Sequence, residues 1–221
     1  MAPEAATPTK LPELKFSIAP DRLIELTKNV LAKNQGVDDP LLLADDFKFA
    51  APIIYLGKKE FLKAFASFQL KVAFPDVEAN FYNFFVDPYE PNRVWFFTRT
   101  RATHTGPLKF GARTIKPTYK RVEAAPEVSS MTFNEEGKVT KLTVGYVADR
   151  RVGNTGGLGA LFGILYAVGH PLPFPEARPY KASWTYWTFI TVQRVYGIAT
   201  SWAQYGYSLV FGGSSAQAKA D

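Results

Sequence analysis

A chain of 221 residues, 47% apolar and 21% charged, is long enough for one folded domain with an appendage and too apolar to be disordered. The absence of cysteine excludes disulfides, thiol nucleophiles and thiolate metal sites, and two histidines without paired spacing predict no metal site of another kind. The net charge of +6 comes from dispersed pairs such as Lys58-Lys59 and Arg150-Arg151, with no basic arm and no nucleic-acid-binding signature, so no nucleic-acid partner is expected.

In chain order, residues 1–18 read as a polar Ala/Pro tail, without the apolar run of a secretory signal. Leu23, Leu26 and Val30 then recur at helical spacing over Asp21–Lys33, and Asn34-Gln-Gly36 ends that helix. Asp39-Pro40 offers an N-cap and a proline at the first helical position. A short second helix passing into a strand is expected over Leu41–Phe49. Phe61, Phe65 and Phe68 share one face of a third helix over Lys58–Phe68, with the aromatics turned to a core.

Strand signals follow at Val77–Asp87, Arg93–Thr105, Lys120–Phe133 and Lys138–Val147. The first two are joined by a proline turn and the last two by Asn134-Glu-Glu-Gly137. Alternation along Arg93–Thr105 puts Trp95, Phe97, Arg99, Arg101 and Thr103 on one face. The opposite face carries Phe96, Thr98, Thr100, Ala102 and His104. Neither face is uniformly apolar or polar, the pattern expected of a sheet curving around a pocket.

The order of elements predicts an α+β fold in which three N-terminal helices pack on a curved, mainly antiparallel sheet and close a cone-shaped barrel over residues 19–150. Residues 151–180, rich in Gly and Pro, read as a flap or connector, and their glycines lack the spacing of a phosphate loop. Residues 181–211 form an aromatic, helical extension in which Arg194 is the one charge after Lys181, among clustered Trp and Tyr. That length suffices to span a bilayer, where about 20 residues are needed, but Thr, Ser and Gln are frequent within it. Residues 212–221 are a second polar tail.

Leu43-Ala-Asp-Asp-Phe-Lys-Phe49, Phe74-Pro-Asp76, Ala102-Thr-His-Thr-Gly-Pro-Leu108 and Phe133-Asn-Glu-Glu-Gly-Lys-Val139 together resemble the SnoaL-like polyketide cyclase family of the nuclear-transport-factor-2-like superfamily. The resemblance covers about residues 20–150. It implies a barrel with a deep apolar pocket, cofactor-free acid–base chemistry at an Asp, and frequent dimerisation through the open sheet. By position Asp149 resembles the family's catalytic acid, and His104 matches its recurrent histidine. The chain departs from the family in carrying the cations Arg150-Arg151 beside that acid and in its aromatic extension. Tyr146–Gly159 also resembles members from photosynthetic algae, which implies a chloroplast location; otherwise the cytoplasm is expected.

Two functional readings follow, and whether the chain is an enzyme stays open between them. In one, an apolar small molecule binds in a pocket walled by Trp95, Phe97, Tyr146 and Phe65, Asp149 takes a proton and His104 assists, as in a cofactor-free isomerase or cyclase. In the other, the chain is a non-catalytic accessory or structural subunit of a membrane complex, such as a photosynthetic one. It would be attached through residues 157–211, with Trp184, Trp187, Trp202 and Tyr205 meeting lipid or partner.

Overall fold

The computed structural model describes residues 15–111 and 113–211; residues 1–14 of the first expected tail and the whole of the second, 212–221, lie outside them. The chain forms two compact units, one up to Pro179 and one from Tyr180 onward.

The first unit is α+β. Helix α1 (Pro20–Ala32) begins with a proline at its first position, where the missing N–H removes no helical bond, and buries Leu23, Val30 and Leu31. The expected second helix is only a single 3-10 turn over Pro40–Leu42, capped by the Asp39 side chain. Strand β1 (Leu43–Ala51) takes over at once, because the alternating Phe47 and Phe49 suit a half-buried strand better than a helix. After β2 (Ile54–Gly57), α2 spans Lys58–Phe68 and a four-residue α3 spans Leu70–Ala73.

Strands β3 (Tyr82–Val86), β4 (Arg93–Thr98), β9 (Glu127–Phe133) and β10 (Val139–Val147) complete a six-stranded sheet in the order β2-β1-β10-β9-β4-β3. Its pairs are antiparallel except β1–β10. Two ribbons, β5 (Arg101–Thr103) with β8 (Arg121–Glu123) and β6 (Leu108–Phe110) with β7 (Arg113–Ile115), extend the structure beyond β4. The expected strand Arg93–Thr105 is therefore broken at Arg99-Thr100, and its two halves pair with different partners.

One face of the sheet packs on α1 and α2. Phe61 is the centre of that core, with ring centroids 5.1 Å from both Phe47 and Phe49 and 4.4 Å from Phe65. Val94, Phe96, Met131, Phe133 and Leu142 fill the same layer. Phe16 and Ile18 pack against it too, so the ordered fold begins before the tail boundary expected at residue 18. A second core gathers Phe74, Ala102, Leu108 and Val122 under Leu165 and Val168.

Those last two residues belong to α4 (Ala160–Ala167) and its C-cap, in the stretch read from sequence as a flap or connector. The stretch is instead pinned to the rest of the first unit. Asn154 accepts from the Glu123 N–H at 2.8 Å and donates to the Arg121 carbonyl at 2.8 Å, tying it to β8. The second unit is described by a single helix, α5 (Trp184–Phe211), 28 residues long.

Candidate functional site

Among the described residues, the ionisable group whose pKa is raised is one that sequence reasoning passed over. Glu127 opens β9, and its odd-numbered companions Ser129, Met131 and Phe133 are all buried, which places its side chain on the core face. Thr98 of β4 and Val147 of β10 flank it in register. Its position depends on a bulge in β10, where register shifts between Thr143 and Tyr146 and Gly145 has a φ of +82°. Gly159 sits so close to this bulge that a Cβ there would lie 2.1 Å from the Gly145 carbonyl oxygen.

That close approach lays the start of α4 over the end of β9. The Ala160 N–H donates to both Glu127 oxygens, at 3.0 and 3.1 Å. Burial pushes the Glu127 carboxyl up to about 7, and the Ala160 N–H acts in the opposite direction. A carboxyl held there can gain and lose a proton near neutral pH. The signal was present in the sequence: strand parity from Met131 and Phe133 puts position 127 on the inner face.

His104 follows β5 and is fully buried. Its Nδ1 accepts from the Thr118 N–H at 3.2 Å, with Thr118 Oγ1 at 3.0 Å, and the Phe74 ring lies 5.1 Å away. Acceptance at Nδ1 assigns the proton to Nε2, which is buried and makes no hydrogen bond among the described residues. Burial lowers the His104 pKa and His170 adds to that, while the Gly106 backbone opposes both. His104 is thus a neutral imidazole inside the second core, and no hydrogen bond joins it to Glu127.

Asp149 lies on an exposed turn beyond β10, where its Oδ1 accepts from the Arg151 N–H at 3.0 Å. Trp95 and Phe97, expected to line a pocket, occupy the face opposite Val94 and Phe96, away from the core. The reason is parity: Phe96 meets Phe81 and Phe84 inside, so its neighbours must point out. Tyr146 is on that outer face as well and is 45% exposed. Tyr82, Phe97, Val128 and Tyr146 form a registered row across four strands there. Of the four expected pocket residues only Phe65 faces the core, half-buried against Phe49 and Phe61. A shallow groove of about 490 Å³ opens between β1 and the start of α2, lined by Asp45, Lys58 and Glu60 among others.

In α5 the expected contact residues Trp184, Trp187, Trp202 and Tyr205 are all exposed, as are Phe189, Val195, Ile198 and Leu209. Among the described residues no helix is long and apolar enough to cross a membrane.

No family model matches the chain, and neither does any curated protein. Solved structures to which it is similar include a protein described as a SnoaL-like polyketide cyclase from Jannaschia sp. CCS1, 17% identical over 72% of this chain and 99% of that one, with a TM-score of 0.48. A nuclear-transport-factor-2-like protein from Cytophaga hutchinsonii is 13% identical over 62% of this chain and 96% of its own, with a TM-score of 0.37. A steroid delta-isomerase from Pseudomonas aeruginosa is 14% identical over 72% of this chain and 90% of its own, with a TM-score of 0.38. The first two carry the descriptions of the groups that the Thr-His-Thr-Gly-Pro and Gly-Lys-Val stretches resemble, and all three are 17% identical or less with TM-scores below 0.5.

Proposed function

We propose that this chain is a non-catalytic accessory subunit: a SnoaL-like barrel attached to a membrane protein complex through α5. The observation that carries this reading is α5 itself, a 28-residue helix with one charge and large apolar side chains exposed along its length. Helices apolar on most sides are stable only when something covers them, and exposed apolar surface on this scale marks an interaction site. The inner face of the sheet supports the same reading, because Phe47, Phe49, Phe61 and Phe96 fill the layer where a pocket was expected. A homodimer, expected from the family, would use the outer row of Tyr82, Phe97, Val128 and Tyr146.

The test is fractionation of host membranes without detergent, a high-salt wash, and native gel electrophoresis. The wild-type chain is expected to stay with a large complex. A variant with Trp184, Trp187 and Trp202 replaced by Ser is expected in the soluble fraction with its barrel folded. A wild-type chain that is soluble and small overturns the proposal.

Glu127 favours a second reading. A buried carboxyl at about 7 suits proton transfer from a carbon acid, so an acid–base isomerase or cyclase acting on an apolar small molecule would use Glu127, with His104 Nε2–H as a donor. Extraction of the purified protein for bound small molecules, with Glu127→Gln as control, tests it. Absence of any ligand from both proteins counts against this reading.

A further inference from the structure

The outer face of the sheet carries a charge pattern that the fold itself does not use. Lys48 of β1 and Lys141 of β10 are partners in register, and both are exposed. Phe47, Phe49 and Leu142 turn into the core, so both lysines turn outward. Through Thr132 the same row reaches Arg93 of β4. Like charges directly opposite each other on adjacent strands destabilise a sheet. Arg93 is held by Glu90 at 3.0 Å, but neither lysine makes an ion pair among the described residues. Lysines that keep a sheet from pairing with another lie on its edge strands. Here β1 and β10 are inner strands, so edge protection does not explain the pair.

Four residues beyond Arg93 on β4, about 13 Å along the strand, lies the row of Tyr82, Phe97 and Tyr146. Tyr82 and Tyr146 are 43% and 45% exposed. Between the two rows, Ser130 and Thr143 are buried and bond each other at 2.6 Å, while Trp95 is tied to Asp87. The floor is therefore small and has its polar groups satisfied. An apolar strip lies on one side of it, and an uncompensated positive strip on the other. Aromatic side chains collect at interface centres, and opposite charge decides which partner fits. A second copy of this chain would bring the same two unpaired lysines. A partner that compensates them carries carboxylates.

We propose that the outer face of the sheet is a docking surface for another protein, whose contact segment lays apolar side chains on the Tyr82–Phe97–Tyr146 row and sets Asp or Glu side chains against Lys48 and Lys141. This goes beyond the attachment through α5 and does not depend on it.

The experiment uses the full chain in unfractionated host extract. Lysines are acetylated with an amine-reactive ester, and the rates are compared with those of the purified chain by mass spectrometry. In parallel, a carbodiimide joins amines to carboxylates that touch them. Lys48 and Lys141 are expected to react at least tenfold more slowly in extract, with the exposed Lys109 unchanged. One or both should be joined to an Asp or Glu of a different polypeptide. Lys141→Glu places a carboxylate opposite Lys48, so the purified variant should melt no lower than wild type. Its co-migration with the partner on a native gel should nevertheless fall at least tenfold, whereas Lys141→Arg keeps it.

Equal acetylation in extract and in the purified chain overturns the inference; if the chain still migrates with a membrane complex, the attachment through α5 survives. Protection with carbodiimide products only between two copies of this chain makes the face a homodimer contact and overturns the acidic partner. Protection without any such product, or undiminished co-migration of Lys141→Glu, overturns it as well. A chain absent from membranes that still shows protection and a cross-link to a carboxylate of another protein supports this inference and overturns the attachment through α5.

Discussion

Both carboxyl oxygens of Glu127 accept from one donor, the Ala160 N–H, at 3.0 and 3.1 Å. The pairing joins the start of β9 to the first turn of α4, and among the described residues the carboxyl has no ion pair. Burial therefore dominates, and the group holds its proton up to about pH 7 in the folded chain, against an ordinary value of 4.5. In that window the folded state binds more protons than the unfolded state, so stability falls as pH rises. The contribution is fully present below 4.5 and is lost as pH climbs through 7. A loss of about 3 kcal/mol between pH 4.5 and 8 is expected from this group. Glu127→Gln should flatten that limb and leave the variant more stable than wild type at pH 8, as urea midpoints across pH will show.

Ala160 meets Glu127 with a φ of +46°, in the left-handed region that an L-residue enters at a cost of roughly 1–2 kcal/mol. Glycine carries no such cost. Ala160→Gly is expected to raise stability by up to about 1 kcal/mol, the rest being lost to the greater freedom of glycine when unfolded. A rise of a few degrees in the melting temperature would agree with this; a fall would mean that the Ala160 methyl, close to Gly145, contributes more to packing than the strain removes.

For His104 the sign is reversed. Burial first, then His170, hold its pKa below 6.5, so the folded chain keeps the imidazole neutral while the unfolded chain protonates. Its contribution is present above 6.5 and is lost as pH falls through the folded value. His104→Phe should remove this acid sensitivity. It should also leave the Thr118 N–H without its acceptor, lowering stability at pH 7 by about 1–3 kcal/mol. Midpoints for the variant at pH 5 and 7 should differ less than those of wild type.

The contrast between Glu127 and Asp149 shows where the sequence was legible. Helix α1 over Pro20–Ala32, α2 over Lys58–Phe68 and the hairpin of β9 and β10 follow from period 3.6, period 2 and a Gly-containing turn. Each of those signals is local. The inner and outer faces of β4 were not legible, because Trp95 and Phe97 are as apolar as Phe96, and only the partner helices decide which side is covered. Asp149 attracted attention by its place after the Gly-Lys-Val strand, yet β10 ends at Val147 and the turn beyond it is in water. Glu127 was hidden because its burial comes from α4, some thirty residues away, and α4 lies in the stretch read as a flap or connector.

The packing of Phe61 can be tested directly. It is fully buried and touches the rings of Phe47, Phe49 and Phe65, so three aromatic neighbours would face the space it leaves. Phe61→Ala is expected to destabilise the first unit by about 3–5 kcal/mol, and Phe61→Leu by less than half of that. If the alanine variant loses under 1 kcal/mol in urea, the phenylalanine layer is looser than its geometry states, and space for a ligand between α2 and the sheet would have to be reconsidered.

On the outer face, Trp95 Nε1–H donates to Asp87 Oδ2 at 2.6 Å, and the Arg93 guanidinium lies 4.0 Å from the centre of the Trp95 rings. Burial alone would raise the Asp87 pKa, but the Trp95 donor and the N–H groups of Tyr89 and Glu90 outweigh it and hold the carboxyl below its ordinary value. The indole is thus fixed between a carboxylate on one side and a cation on its face. Asp87→Ala removes an acceptor shared by three donors, and a loss of about 1–3 kcal/mol is expected, larger than for Asp87→Asn, which keeps an oxygen in place. Arg93→Ala should lose the stacking contact and the hydrogen bond to Ser130 Oγ at 3.0 Å. Because both residues act on one indole, their effects should be coupled, with a double variant departing from the sum by more than about 0.5 kcal/mol. Strict additivity in that cycle would show that Asp87 and Arg93 hold Trp95 independently.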